Sequence, residues 1–193
     1  MKSLICVAIV AVALIFAGSA FAAPIYCPLN GHSYEAFGGT FDWNVASANA
    51  VANGGYLATL TDENENEWVW SHLGNVSYYW IGGIQDPDGV EPASGWGWVT
   101  GEAWDYTNWN GGEPNDSSFY GYNDDNIQLW TNGKWNDING DSSNALYGTD
   151  SQSGNAYYQG YIVEYSGSVV PEPASMALFG IGLAGLLKLR RKK

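Results

Sequence analysis

Along the middle of the chain the spacing of hydrophobic residues changes period several times. Ser33 to Phe37 reads as a short strand. From Phe41 to Asn53 the spacing is helical, with Trp43, Ala46 and Ala50 on one face at i, i+3 and i+7. Gly54-Gly55 ends that helix, and Tyr56 to Leu60 is extended. Asp62 then caps a second helix, with Glu65 three residues on as its capping-box partner. This helix is expected to turn Trp68, Val69, His72 and Leu73 inward. Tyr79 to Ile84 reads as a strand, as do Ile127 to Thr131, Lys134 to Trp135 and Tyr157 to Tyr165. Between Gln85 and Gly121 stand mostly Gly, Pro, Asn, Asp and aromatic residues, which is loop chemistry. The pattern predicts an α+β domain, two helices followed by small antiparallel sheets and a long irregular region. So long a loop inside a compact domain points to a function for it. Bound calcium, gathering carboxylate, amide and backbone oxygens, is one way to replace its missing regular hydrogen bonds.

The two ends have a different composition. Lys2, the apolar run Leu4 to Ala17 and Ala20-Phe21-Ala22 make residues 1–22 a secretory signal peptide, with a membrane anchor as the alternative. At the other end Pro171-Glu172-Pro173 precedes the apolar run Ala174 to Leu187 and a basic tail, Lys188 to Lys193. Fourteen helical residues reach about 21 Å, less than the roughly 30 Å of a bilayer's hydrocarbon. Snorkelling Lys and Arg keep a stop-transfer reading open. Tripeptide, short span and basic tail, in that order over 169–193, resemble the bacterial PEP-CTERM sorting signal. The resemblance implies a Gram-negative bacterium that makes exopolysaccharide, export across the inner membrane, tethering at the cell surface or in its matrix, and processing by an exosortase-type protease.

Charge narrows the partners. All 20 Asp and Glu and a single base, Lys134, lie between residues 23 and 173, so that interval carries 1 − 20 = −19. Such a surface repels nucleic acid and anionic lipid. It serves either as a solubilising coat or as a source of ligands for divalent cations. Cys27 stands alone after the leader, so no intrachain disulfide is available. His32 and His72 are the only histidines, which disfavours zinc and histidine catalysis. The chain is not expected to be an enzyme.

The order of short motifs between residues 31 and 166 carries a second resemblance. Trp80-Ile81-Gly82-Gly83 resembles the WIGL core of C-type lectin-like domains. Leu57-Ala58-Thr59-Leu60 with Glu63 to Glu67 resembles the segment before it. Trp98-Val99-Thr100-Gly101 through Tyr106-Thr107-Asn108-Trp109 resembles the entry to the family's long loop. Glu113-Pro114-Asn115 and Trp135-Asn136-Asp137 resemble its two calcium signatures, and Tyr161 to Tyr165 its closing strand. The resemblance implies a C-type lectin-like fold over residues 24–167. The family's usual disulfides are missing: their positions fall on Ala50 with Val163, and on Asn126. A packed apolar pair is expected at the first. Losing such a bridge costs about 2–4 kcal/mol. Ile138 to Gln159 is extra sequence, expected to be a surface loop.

By resemblance, Ca2+ is held by Glu113, Asn115, Asp124, Asn136 and Asp137, and the same five residues contact a carbohydrate. The Glu113-Pro114 bond is expected to be cis. Glu-Pro-Asn is the version that favours mannose- or glucose-type hydroxyls. Asp86, Asp116 and Asp124 match auxiliary metal positions, with Asp88 or Glu91 as contributors; ordinary turn decoration is the competing reading. Trp80, Trp98, Trp109 and Trp135 are expected in the core, whereas Trp96, Trp104, Trp130 and Tyr120 are free to line the site. Two functions follow: a calcium-dependent lectin for exopolysaccharide or another surface glycan, or a protein-interaction domain whose loops calcium stabilises.

Overall fold

The computed structural model describes residues 23–74, 76–117, 123–140 and 160–168. Both terminal segments and most of the 138–159 insertion lie outside the described residues, as does Tyr120. Ten elements follow in order: β1 (Ile25–Tyr26), β2 (Ser33–Gly38), α1 (Trp43–Ala52), β3 (Tyr56–Leu57), α2 (Glu63–His72), β4 (Tyr79–Gln85), β5 (Trp96–Trp98), β6 (Asn126–Leu129), β7 (Trp135–Ile138) and β8 (Gly160–Tyr165). The strands join in the order β1-β2-β8-β4-β6-β7, with β3 added on β8 and β5 on β4. β8 lies antiparallel to β2, Ser33 opposite Tyr165, and parallel to β4. The first and last parts of the domain therefore close against each other, and the long loop emerges on the far side.

Alternation along the central strands divides the interior in two. Trp80, Tyr161 and Val163 face α1, where Trp43, Ala46 and Ala50 are buried as the periodicity predicts. Ile81 and Ile162 face the opposite way, toward Val69 of α2, Leu60, Ile127, Leu129 and Trp135. Ala50 and Val163, where the family places a bridge, are both fully buried in the α1-side core. Packing thus occupies the place of the bond.

Both helix signals appear with small changes. Asp62 accepts from the Glu65 amide at 2.9 Å. Glu65 reaches back to the amide and hydroxyl of Thr61, one residue before the cap. His72 departs from expectation: it is exposed, stacked on Trp68 with ring centroids 4.3 Å apart. Position 72 falls at the edge of the apolar stripe, so the indole of Trp68 covers one ring face while water meets the other. The Gln85–Gly121 region also contains a strand the sequence pattern hid. β5 pairs with β4 through Gly83↔Trp98 and Gln85↔Trp96. At three residues it is too short to show a period.

Gly82 and Gly83 explain the core motif sterically. A Cβ on Gly82 would stand 2.5 Å from the Leu57 carbonyl oxygen, and one on Gly83 would stand 2.3 Å from Ile127 Cδ1. β4 can approach its neighbours this closely only without side chains there.

Candidate functional site

The chain from Trp96 to Trp109 has little regular structure, and indole packing stands in for it. Trp135 lies at the centre. It meets Trp98 at 5.4 Å and 82°, and Trp109 at 5.7 Å and 82°, both edge-to-face. Trp96, Trp104 and Tyr106 complete the cluster. Trp96 is 8% exposed and is a packing residue, whereas Trp104 is half-buried and packs against Trp96 and Trp98. Trp130 packs edge-on against Tyr78. The loop is also stitched to the edge of β7: Trp135 N donates to Asn108 O, and Asn110 N to Trp135 O, each at 2.8 Å. This makes Asn108–Asn110 a short extra rung and sets the following Glu113-Pro114-Asn115 beside Asn136 and Asp137.

The Glu113-Pro114 peptide is cis, and so is Glu91-Pro92. Asp137 Oδ2 accepts from the amides of Asn115 and Asp116, both at 2.8 Å. Asp116 Oδ1 accepts from the Asp124 amide at 3.1 Å. Asn136 donates to the Asp137 carbonyl at 2.9 Å, and Asn115 Oδ1 accepts from Ser117 N at 2.7 Å. Glu113, Asn115, Asp124, Asn136 and Asp137 thus occupy one neighbourhood. Asp124, Asn136 and Asp137 are buried, at 5%, 7% and 3% exposure.

The electrostatics of this neighbourhood are unfavourable as they stand. Glu113 Oε2, Asp124 Oδ1, Asp125 Oδ1 and Asp137 Oδ1 are all buried without a hydrogen-bond partner. Burial, then the adjoining Asp137 carboxyl and its charge, pushes the Glu113 carboxyl up to about 7. Burial and the Asp137 charge push Asp124 up to about 7 as well. Orphaned carboxylate oxygens of this kind are costly. A hard cation is the partner their chemistry fits. Among the described residues no group of three or more His, Cys, Asp or Glu side chains is arranged so that it could hold a metal ion. One Asp137 oxygen is committed to the loop amides and the Asn115 side chain to Ser117.

Of the auxiliary residues, Asp116 and Asp124 are joined by the bond above. Asp86 accepts from the Asp88 amide at 3.0 Å, an ordinary turn contact. Glu91 feels the charges of Asp116, Asp125 and Asp137, and burial and those charges raise its carboxyl. Asp125 was not among the residues singled out from sequence. It is the second acid of a pair, and the pair alone does not say that both members turn toward the cluster.

Comparison with known proteins assigns the architecture. The Lectin C-type domain family matches residues 40–146. The chain belongs to the C-type lectin domain family. A perlucin-like protein of Mytilus galloprovincialis is 32% identical over 128 residues, covering 60% of this chain and 77% of its own. Among solved structures, the mouse scavenger receptor C-type lectin carbohydrate-recognition domain superposes with a TM-score of 0.55 at 22% identity, over 74% of this chain and 99% of its own. A calcium-independent type II antifreeze protein superposes with a TM-score of 0.51 at 21% identity, over 74% and 95%. At those identities the two structures establish the lectin fold. Membership places the chain among binding domains, not enzymes. The PEP-CTERM protein-sorting motif matches residues 169–192 and marks this lectin-like protein for export and surface sorting in Gram-negative bacteria. Among the described residues no helix is long and apolar enough to cross a membrane; the segment 169–193 lies outside them.

Proposed function

We propose that this domain is a calcium-dependent lectin displayed at the bacterial surface, with Glu113, Asn115, Asp124, Asn136 and Asp137 holding the ion and contacting the saccharide. The observation that carries this reading is the set of buried, unpartnered carboxylate oxygens on Glu113, Asp124 and Asp137. Calcium would supply positive charge and coordination places for vicinal hydroxyls. The protein's own residues do the rest. Asp137 fixes the loop by accepting from two successive amides. Asn136 is oriented by its bond to the Asp137 carbonyl. The carboxylates accept hydroxyl protons, and the Asn115 amide is exposed enough to donate.

Glu-Pro-Asn favours mannose- or glucose-type geometry, and exopolysaccharide is the corresponding natural ligand. A shallow site of this kind binds a single sugar with about −4 kcal/mol, a millimolar Kd, and many copies on a surface supply avidity. Residues 1–22 act as the leader, 24–167 as the binding domain, and 169–193 as a membrane tether until an exosortase-type protease processes it. Asp86, Asp116 and Asp124, with Asp88 or Glu91 contributing, are the residues proposed for an auxiliary cation position.

A second reading, a protein-interaction domain of the same fold, is favoured by two observations: the Asn115 side chain is engaged by Ser117, and the fold is shared with a calcium-independent antifreeze protein. Glycan binding measured with calcium and with chelator separates the two. Saccharide binding that disappears in chelator and in Glu113→Gln supports the lectin. Partner binding that survives both, with no glycan bound, supports the alternative.

A further inference from the structure

A cavity of about 450 Å3 opens between α2, the Tyr106–Asn108 stretch and the β6–β7 turn. That size falls within the roughly 300–1,000 Å3 of small-molecule sites. None of its lining residues belongs to the Glu113 cluster.

Its floor is a closed network of amides. Asn66 and Asn108 both donate to the Gly133 carbonyl at 3.1 Å. Asn66 accepts from the Trp135 indole at 2.8 Å, and Asn132 from the Lys134 amide at 3.1 Å. The walls keep binding capacity. Trp70 is half-buried and lies against the bare backbone of Gly133, where a Cβ would stand 2.8 Å from the indole. On the α2 side, Glu63 and Glu67 are exposed. Tyr106 faces them: burial, then the charges of Glu63 and Glu67, pushes its hydroxyl up to about 12. Lys134, the single base between residues 23 and 173, is held at the rim by Asn108 at 2.9 Å.

We propose that this groove is a second, calcium-independent saccharide site, for a glycan segment that carries protonated amino groups. An indole flank suits the C–H face of a pyranose ring, as aromatic side chains do for apolar faces in general. The two α2 carboxylates accept from hydroxyl and ammonium groups. Two carboxylates against one ammonium leave surplus negative charge, which turns away uronic acids. On the floor the Gly133 carbonyl and the Gly133 and Lys134 amides are already bonded, so these groups do not pair with a peptide strand.

The test is a fluorescence titration of the full chain in detergent and excess chelator, with a tetramer of glucosamine as the probe. Binding is expected, weakened at least tenfold in Trp70→Ala and in Glu67→Lys and unchanged in Glu113→Gln. A tetramer of galacturonic acid is expected to bind at least tenfold more weakly. Glu67 is exposed, so its variant keeps the test valid if Trp70→Ala fails to fold. The proposal is overturned by absence of binding, by variants that bind like the wild type, or by tetralysine binding as tightly as the saccharide, which would indicate a basic peptide site.

Discussion

Asp137 spans 22 residues of sequence to accept a 2.8 Å hydrogen bond from the backbone amide of Asn115. The same carboxylate oxygen takes the next amide, that of Asp116. One side chain on β7 therefore fixes the loop that carries Glu113-Pro114-Asn115. Asp137→Ala removes both contacts and is expected to destabilise the metal-free protein by about 1–3 kcal/mol, read from the urea midpoint. An unchanged midpoint would show that the loop holds itself.

Proton linkage gives a second expectation. The folded carboxyls of Glu113 and Asp124 lie at about 7, against about 4 in an unfolded chain. Between those values the native state binds more protons than the unfolded one, so metal-free stability falls as pH rises from about 4 to about 7. Calcium must displace these protons, so its affinity rises over the same window. Each displaced proton contributes roughly tenfold per pH unit below 7. Calorimetry at pH 6 and pH 8 checks this, with tighter calcium binding expected at pH 8. In Asp137→Asn both carboxyls lose a neighbouring charge and should titrate lower by NMR.

Away from the site, Glu164 is a test of how the sheet is tied together. It is 1% exposed; its Oε2 accepts from the Thr59 amide and hydroxyl, and its Oε1 from Tyr56, with His32 Nδ1 at the same oxygen. Glu164→Ala strands these donors, and about 3 kcal/mol is the expected loss. A melting temperature within a degree of the wild type would contradict this.

The glycines of β4 differ in what surrounds them. Gly82→Ala meets the Leu57 carbonyl oxygen at 2.5 Å, whereas Gly83→Ala meets the side chain of Ile127. Backbone yields less than a rotamer, so Gly82→Ala should cost about 2–3 kcal/mol and Gly83→Ala less. Denaturant unfolding of the pair decides the order.

Much of the fold was legible because its signals are local. Trp43, Ala46 and Ala50 announced the buried face of α1, and Asp62 with Glu65 announced the start of α2. Two segments of the candidate site, Glu113-Pro114-Asn115 and Trp135-Asn136-Asp137, stand out as short local motifs. Their meeting depends on the Asn108–Asn110 rung against Trp135, which is a tertiary fact without a local pattern. β5 was hidden because three residues carry no period, and His72 was misplaced because a stripe edge looks like a stripe centre. Asp125 escaped because neighbouring acids in a pair do not reveal which oxygens end up buried.

The proposed calcium site rests on the buried carboxylate oxygens around Glu113. Thermal unfolding of the full chain in calcium and in chelator, with Glu113→Gln alongside, tests it most directly. Calcium at about 100 times its Kd is expected to add about 2.7 kcal/mol of stability, raising the melting temperature of the wild type, with most of the rise lost in the variant. Identical melting curves in calcium and in chelator would contradict it.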